Sequence, residues 1–107
     1  MGDADGALAK LKLAVAKGPN FADAHELEGE ALLRKHDFAG AAKAFAQADV
    51  NAPRWGKNHL HWGEALMLAG RYAEARAQLQ AAAGLELSAP DRAALDVLRT
   101  RIRTSPG

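Results

Sequence analysis

The segment Gly-Glu-Ala-Leu occurs twice, at Gly29–Leu32 and again 34 residues later at Gly63–Leu66. The same 34-residue shift carries His25 onto His59, Phe38 onto Tyr72, Ala39 onto Ala73, Ala41 onto Ala75, Phe45 onto Leu79 and Ala48 onto Ala82, so the coincidence is a repeat. Run backwards, the shift takes Ala41, Phe45, Ala48 and Pro53 onto Ala7, Leu11, Ala14 and Pro19. Half a unit is therefore expected before the first complete one, and the chain reads as a piece of something longer. Repetition at this period is the strongest constraint on the fold, because each unit buries its apolar side only by stacking on its neighbours.

Inside each unit the apolar residues recur at three- and four-residue spacing, as in Leu27, Ala31 and Leu32 and then Phe38, Ala41, Ala42, Phe45 and Ala48, which predicts two amphipathic helices. Composition points the same way: alanine makes up 26 of 107 residues, against three Val, one Ile and two Thr. The break between the paired helices falls at Arg34–Phe38 and Leu68–Tyr72. There Gly70 suits a left-handed C-cap, and His36 is a residue type that tolerates one. Turns this short make the paired helices antiparallel. Pro19 and Pro53 end the second helices, and Asn20 with Asp23 reads as a capping box for the next. After Leu87 comes one more helix, with Ser88 as N-cap, Asp91 three residues on and Pro90 in the first turn. Leu95, Leu98 and Ile102 form its apolar stripe, whereas Arg92, Asp96, Arg99, Arg101 and Arg103 face water, as befits a helix that closes a stack.

A 34-residue helix–turn–helix unit resembles the tetratricopeptide repeat (TPR), with its signature Trp-x2-Leu-Gly-x2-Tyr, Ala-x3-Phe and closing Pro. The first unit offers His25-x2-Glu28-Gly29-x2-Leu32, Ala41-x3-Phe45 and Pro53; the second offers His59-x2-Trp62-Gly63-x2-Leu66 and Ala75-x3-Leu79, with Leu87 in the proline slot. Small residues, Gly29, Gly63, Ala41, Ala75, Ala48 and Ala82, fall where the family's helices approach closely. The departures are His for Trp in both units, Glu28 in a Leu slot and Leu for Tyr. The resemblance implies a single all-α domain over residues 1–107, an α-solenoid of antiparallel helix pairs. Its expected parts are the second helix of a truncated repeat (3–19), two full repeats (20–53 and 54–87), a capping helix (88–103) and a tail (104–107).

The resemblance also implies a function, protein–protein interaction, with a peptide or helical segment of a partner lying in a concave groove lined by the first helix of each pair. The residues matching the groove slots are Asp23, Glu26, Glu30, Leu33 and Arg34, then Lys57, Leu60, Glu64, Met67 and Leu68. The first set is mostly acidic and the second mostly apolar, with Met67 suited to adaptable packing. Some TPR domains clamp a C-terminal carboxylate with Lys and Asn, but Glu26 and Glu30 occupy those slots here, and Lys57 alone resembles part of the clamp. A ligand with Lys or Arg beside apolar anchors is the expectation.

The formal net charge is +1, from 14 basic and 13 acidic residues interspersed along the chain, so no basic tract exists to follow a phosphate backbone. Neither nucleic acid nor a membrane surface is an expected partner. Cysteine is absent, which removes disulfides and thiolate chemistry. The N-terminus lacks the pattern of a signal peptide, and Gly6 stands where myristoylation wants Ser or Thr. The expected compartment is the cytoplasm.

The stretch Asn58–Leu66, with His59, His61 and Trp62, looks like chemistry. On a helix, however, His59 and His61 point about 160° apart and cannot share one ion. His25 and His59 fill equivalent packing slots, so no metal site and no cofactor are expected. Ser88 and Ser105 are the only serines, the first a helix cap, and no phosphate loop or nucleophile–base pair is present, so no enzyme is expected. Trp62 falls in a core slot, while Trp55 at the inter-unit turn is a potential partner anchor. The alternative reading is a structural segment without a peptide ligand, which self-associates as a homodimer. It would do so through an apolar stripe of Leu8, Leu11 and Val15, backed by Ala14, on the truncated repeat.

Overall fold

The computed structural model describes residues 22–104, which form five α-helices with no strand among them. They are α1 (Ala22–Arg34), α2 (Phe38–Asn51), α3 (Gly56–Leu68), α4 (Tyr72–Ala83) and α5 (Ala89–Arg103). The described residues are all-α, in line with the alanine-rich, β-branched-poor composition. The helix expected over 3–19, with Leu8, Leu11, Ala14 and Val15, lies outside the described residues, as do Asn20 and the tail from 105 on.

Ends of α1 and α3, Arg34 and Leu68, lie 34 residues apart, and so do the starts of α2 and α4, Phe38 and Tyr72. The turns inside the two pairs are the same device. After α1, the Asp37 N–H donates to Leu32 O (2.9 Å) and the His36 N–H to Leu33 O (2.9 Å); after α3, Arg71 donates to Leu66 O (2.8 Å) and Gly70 to Met67 O (3.0 Å). These paired bonds are the Schellman closure, which needs one left-handed residue. His36 takes that position at φ 63° and Gly70 at φ 82°. A β-carbon on Gly70 would meet nothing within 4 Å, so Gly70→Ala adds only backbone strain. It lowers the unfolding free energy by about 1–2 kcal/mol, read as a shifted urea midpoint at unchanged slope.

Asp37 then caps α2 by accepting from the Gly40 N–H at 3.0 Å. Close approach fixes how the helices of each pair lie. Gly29, five residues before the end of α1, faces Phe45, seven residues into α2, so the two helices run back along each other. A β-carbon on Gly29 would run into the Phe45 ring, and one on Gly63 would lie 2.6 Å from Leu79 Cδ2. Both glycines are there to admit a neighbour's large side chain.

Consecutive helices pack on one another, α3 also touches α1, and α5 lies against both α4 and α3. The core is built from fully buried Phe45, Leu60, Leu66, Leu79 and Leu95, with Ala31, Ala41, Ala65, Ala75 and Ala82 filling between them. Leu27, expected in the apolar stripe of α1, is 46% exposed. It stands about 200° around the helix from Gly29, which marks the packed side. The last helix matches its expectation: Ser88 Oγ accepts from the Asp91 N–H at 3.2 Å, and Leu95, Leu98 and Ile102 are buried. No helix among the described residues is long and apolar enough to cross a membrane.

Candidate functional site

Glu26 and Glu30 lie one turn apart on α1 and share a face. Across from them α3 presents His61, with Lys57 a turn before it. His61 Nδ1 is 2.6 Å from Glu26 Oε2 and 3.8 Å from Glu30 Oε2, and Lys57 Nζ is 3.6 Å from Glu30 Oε2. Glu26 is only 1% exposed, whereas His61 and Glu30 are partly open to solvent. Beneath His61 lies the Phe45 ring, centroid to centroid 5.9 Å. One chain of packing thus builds the site. The missing side chain of Gly29 admits Phe45, and Phe45 in turn supports His61.

The electrostatics follow from burial. Withdrawal from water raises the pKa of Glu26; the negative charge of Glu30 adds to this, and the hydrogen bond from His61 opposes it without reversing it. Burial works in the same direction on Glu30. There it is outweighed by the Glu26 carboxyl beside it, which takes up the proton of the pair more readily, and by the positive charges of His61, Lys57 and Arg34, so the Glu30 pKa falls. For His61, burial favours the neutral ring, but the hydrogen bond to Glu26 and the charges of Glu26, Glu30 and Glu64 prevail, and its pKa rises.

Beside this cluster a pocket of about 410 Å³ opens between α1 and α3. Five residues expected in the groove line it: Glu30, Leu33, Arg34, Glu64 and Leu68. His36, Phe38 and His61 complete the wall. The other five are placed differently. Leu60 (1% exposed) and Met67 (7%) are core residues, since their positions on α3 face the interior. Glu26 is buried under its partner's ring, Lys57 reaches over Glu30, and Asp23 is exposed at the start of α1. A smaller cavity of about 300 Å³ touches Met67, Leu68 and Tyr72 at the far end of α3.

His59 and His61 do point apart. The His59 ring spans from Gln78 Oε1 (2.7 Å) to the Pro53 carbonyl (2.8 Å), with Asp49 Oδ1 at 3.2 Å, none of them a partner of His61. Trp62 stacks on His59 at 6.0 Å and packs against the core, while Trp55 is half-buried, its carbonyl accepting from the N–H groups of Asn58 and His59. Sequence reasoning weighed His61 only against His59 and so missed its partners in the preceding unit. The signal was present: Glu26 and Glu30 have helical spacing, and His61 sits one residue beyond the 34-residue equivalent of Glu26. Compared with known proteins, the chain matches no family model and none of the curated proteins.

Proposed function

We propose that this chain is a TPR-like helical-repeat domain that serves protein–protein interaction, taking a partner segment in the pocket between α1 and α3. The observation carrying this reading is the lining of that pocket, where the carboxylates of Glu30 and Glu64 stand beside the apolar surfaces of Leu33, Phe38 and Leu68. A Lys or Arg of the ligand pairs with the carboxylates while an adjacent apolar side chain covers Leu68, which is 40% exposed. The 34-residue spacing between corresponding helix boundaries, Arg34 to Leu68 and Phe38 to Tyr72, and the equivalent turns support the repeat reading.

Because Glu26, Leu60 and Met67 lie inside, the recognising surface is narrower than the full set of groove slots, and binding is weak, with Kd on the order of 10–100 µM. Fluorescence anisotropy with length-matched Lys/Leu-rich and Glu/Leu-rich peptides measures it. The basic peptide binds more tightly, and Glu64→Lys combined with Leu68→Ala weakens it about tenfold or more. Preference for the acidic peptide, or affinity untouched by the double substitution, would remove the reading.

A further inference from the structure

We propose that Glu26, Glu30 and His61 form a binding site for one zinc-type dication. One ligating atom from each of the three side chains lies within 4.8 Å of the other two, which places them around a common point. The set is mixed, one imidazole nitrogen and two carboxylate oxygens drawn from two helices. That chemistry suits Zn²⁺ and its first-row neighbours rather than Ca²⁺ or Mg²⁺, which call for oxygen alone. Two of the three groups are spaced four residues apart on α1, so their carboxylates stack on one face and turn together toward α3.

The present spacings are close to those a metal needs. Bonds of about 2.0–2.2 Å in a tetrahedral site put ligand atoms a little over 3 Å apart. His61 Nδ1 must withdraw slightly from Glu26 Oε2, now at 2.6 Å, and approach Glu30 Oε2, now at 3.8 Å. Small side-chain rotations accomplish both.

Two further observations point to a ligand here. Glu30 Oε2 is a buried oxygen with no hydrogen-bond partner, and it faces His61. Glu30 and His61 also line the pocket of about 410 Å³, which provides an entry path and room for water at the remaining coordination position. Lys57 is the competitor. Its ammonium lies 3.6 Å from Glu30 Oε2, but the side chain is 41% exposed and free to swing into solvent. The cluster is therefore a cation site held by a tethered cation, and a dication that binds three groups at once displaces it.

The test uses the full chain without a tag, stripped with chelator and then titrated with Zn²⁺ against a chromophoric competitor at one fixed pH, with no peptide present. One Zn²⁺ per chain is expected. His61→Ala and Glu30→Gln each weaken it at least about tenfold, since each deletes a ligand outright. Glu30→Gln is the safer variant, because the Glu26–His61 bond survives it, and circular dichroism verifies the fold. Lys57→Gln strengthens binding several-fold, an effect that a merely adventitious surface site would not show. His36→Asn, which alters a histidine of the same pocket outside the cluster, leaves affinity unchanged. Co²⁺ substitution adds a visible d–d band that Glu30→Gln perturbs. No Zn²⁺ bound, binding indifferent to His61→Ala and Glu30→Gln, or binding abolished by His36→Asn instead, each overturns the proposal.

Discussion

Phe45→Ala lowers the unfolding free energy by about 3–5 kcal/mol, the range for emptying a fully enclosed aromatic position. The side chain is 0% exposed, lies beneath Gly29 and touches the His61 ring. Collapse cannot easily refill the space, because the facing position on α1 is a glycine with no side chain to move in. A domain of this size holds only about 5–15 kcal/mol in total, so the variant unfolds at far lower urea concentration. Phe45→Leu loses much less, for the second pair already shows the arrangement it would adopt: Leu79 seated over Gly63. A cost below about 1 kcal/mol for Phe45→Ala would mean that the ring is not enclosed as described.

The second large effect is a double-substitution cycle at Glu26 and His61. His61→Leu alone leaves a carboxyl that is 1% exposed without its donor and costs about 2–4 kcal/mol, the upper limit being set by the ability of Glu26 to hold a proton instead. Glu26→Leu costs less, because the partly open His61 turns toward water. The double variant recovers most of the loss, since two apolar groups of similar volume need no partners. If the two single effects simply add, the bond carries no coupling and the account fails.

The same cycle has a pH signature, read in chelator-treated protein. The His61 pKa is raised above its usual 6.5, so the stability it contributes is complete below that value and disappears as pH climbs through the folded pKa. Glu26, also raised, acts in the same sense from 4.5 upward, whereas Glu30, lowered, contributes above 4.5 and loses its contribution as pH falls. In the acid range the two carboxylates therefore act in opposite senses. What remains visible is a decline above about 6.5, present in the parent protein and absent from the double variant.

Much of the local structure was legible in the sequence because it depends on neighbours in the chain. Ser88 capping α5, Gly70 and His36 in left-handed turns, and the stripe of Leu95, Leu98 and Ile102 all follow from residue type and spacing within a few positions. The site was only partly legible. Of the ten residues expected in the groove, Glu30, Leu33, Arg34, Glu64 and Leu68 line one pocket. Leu27 was expected inward and faces out, and Leu60 and Met67 were expected in the groove and lie in the core. Periodicity finds the apolar stripe of a helix, but it does not say which edge of that stripe meets the next helix and which meets water.

The sequence by itself determined that the chain is helical, where its helices turn and that they recur every 34 residues, because those properties are set by backbone propensities, caps and short-range spacing. The tertiary structure alone decided that a histidine on α3 would close over two glutamates on α1. Residues 26 and 61 have no influence on each other along the chain, and their meeting depends on how closely α1, α2 and α3 pack. That closeness is governed by a glycine admitting an aromatic ring, a condition written in one residue but realised only when three helices come together.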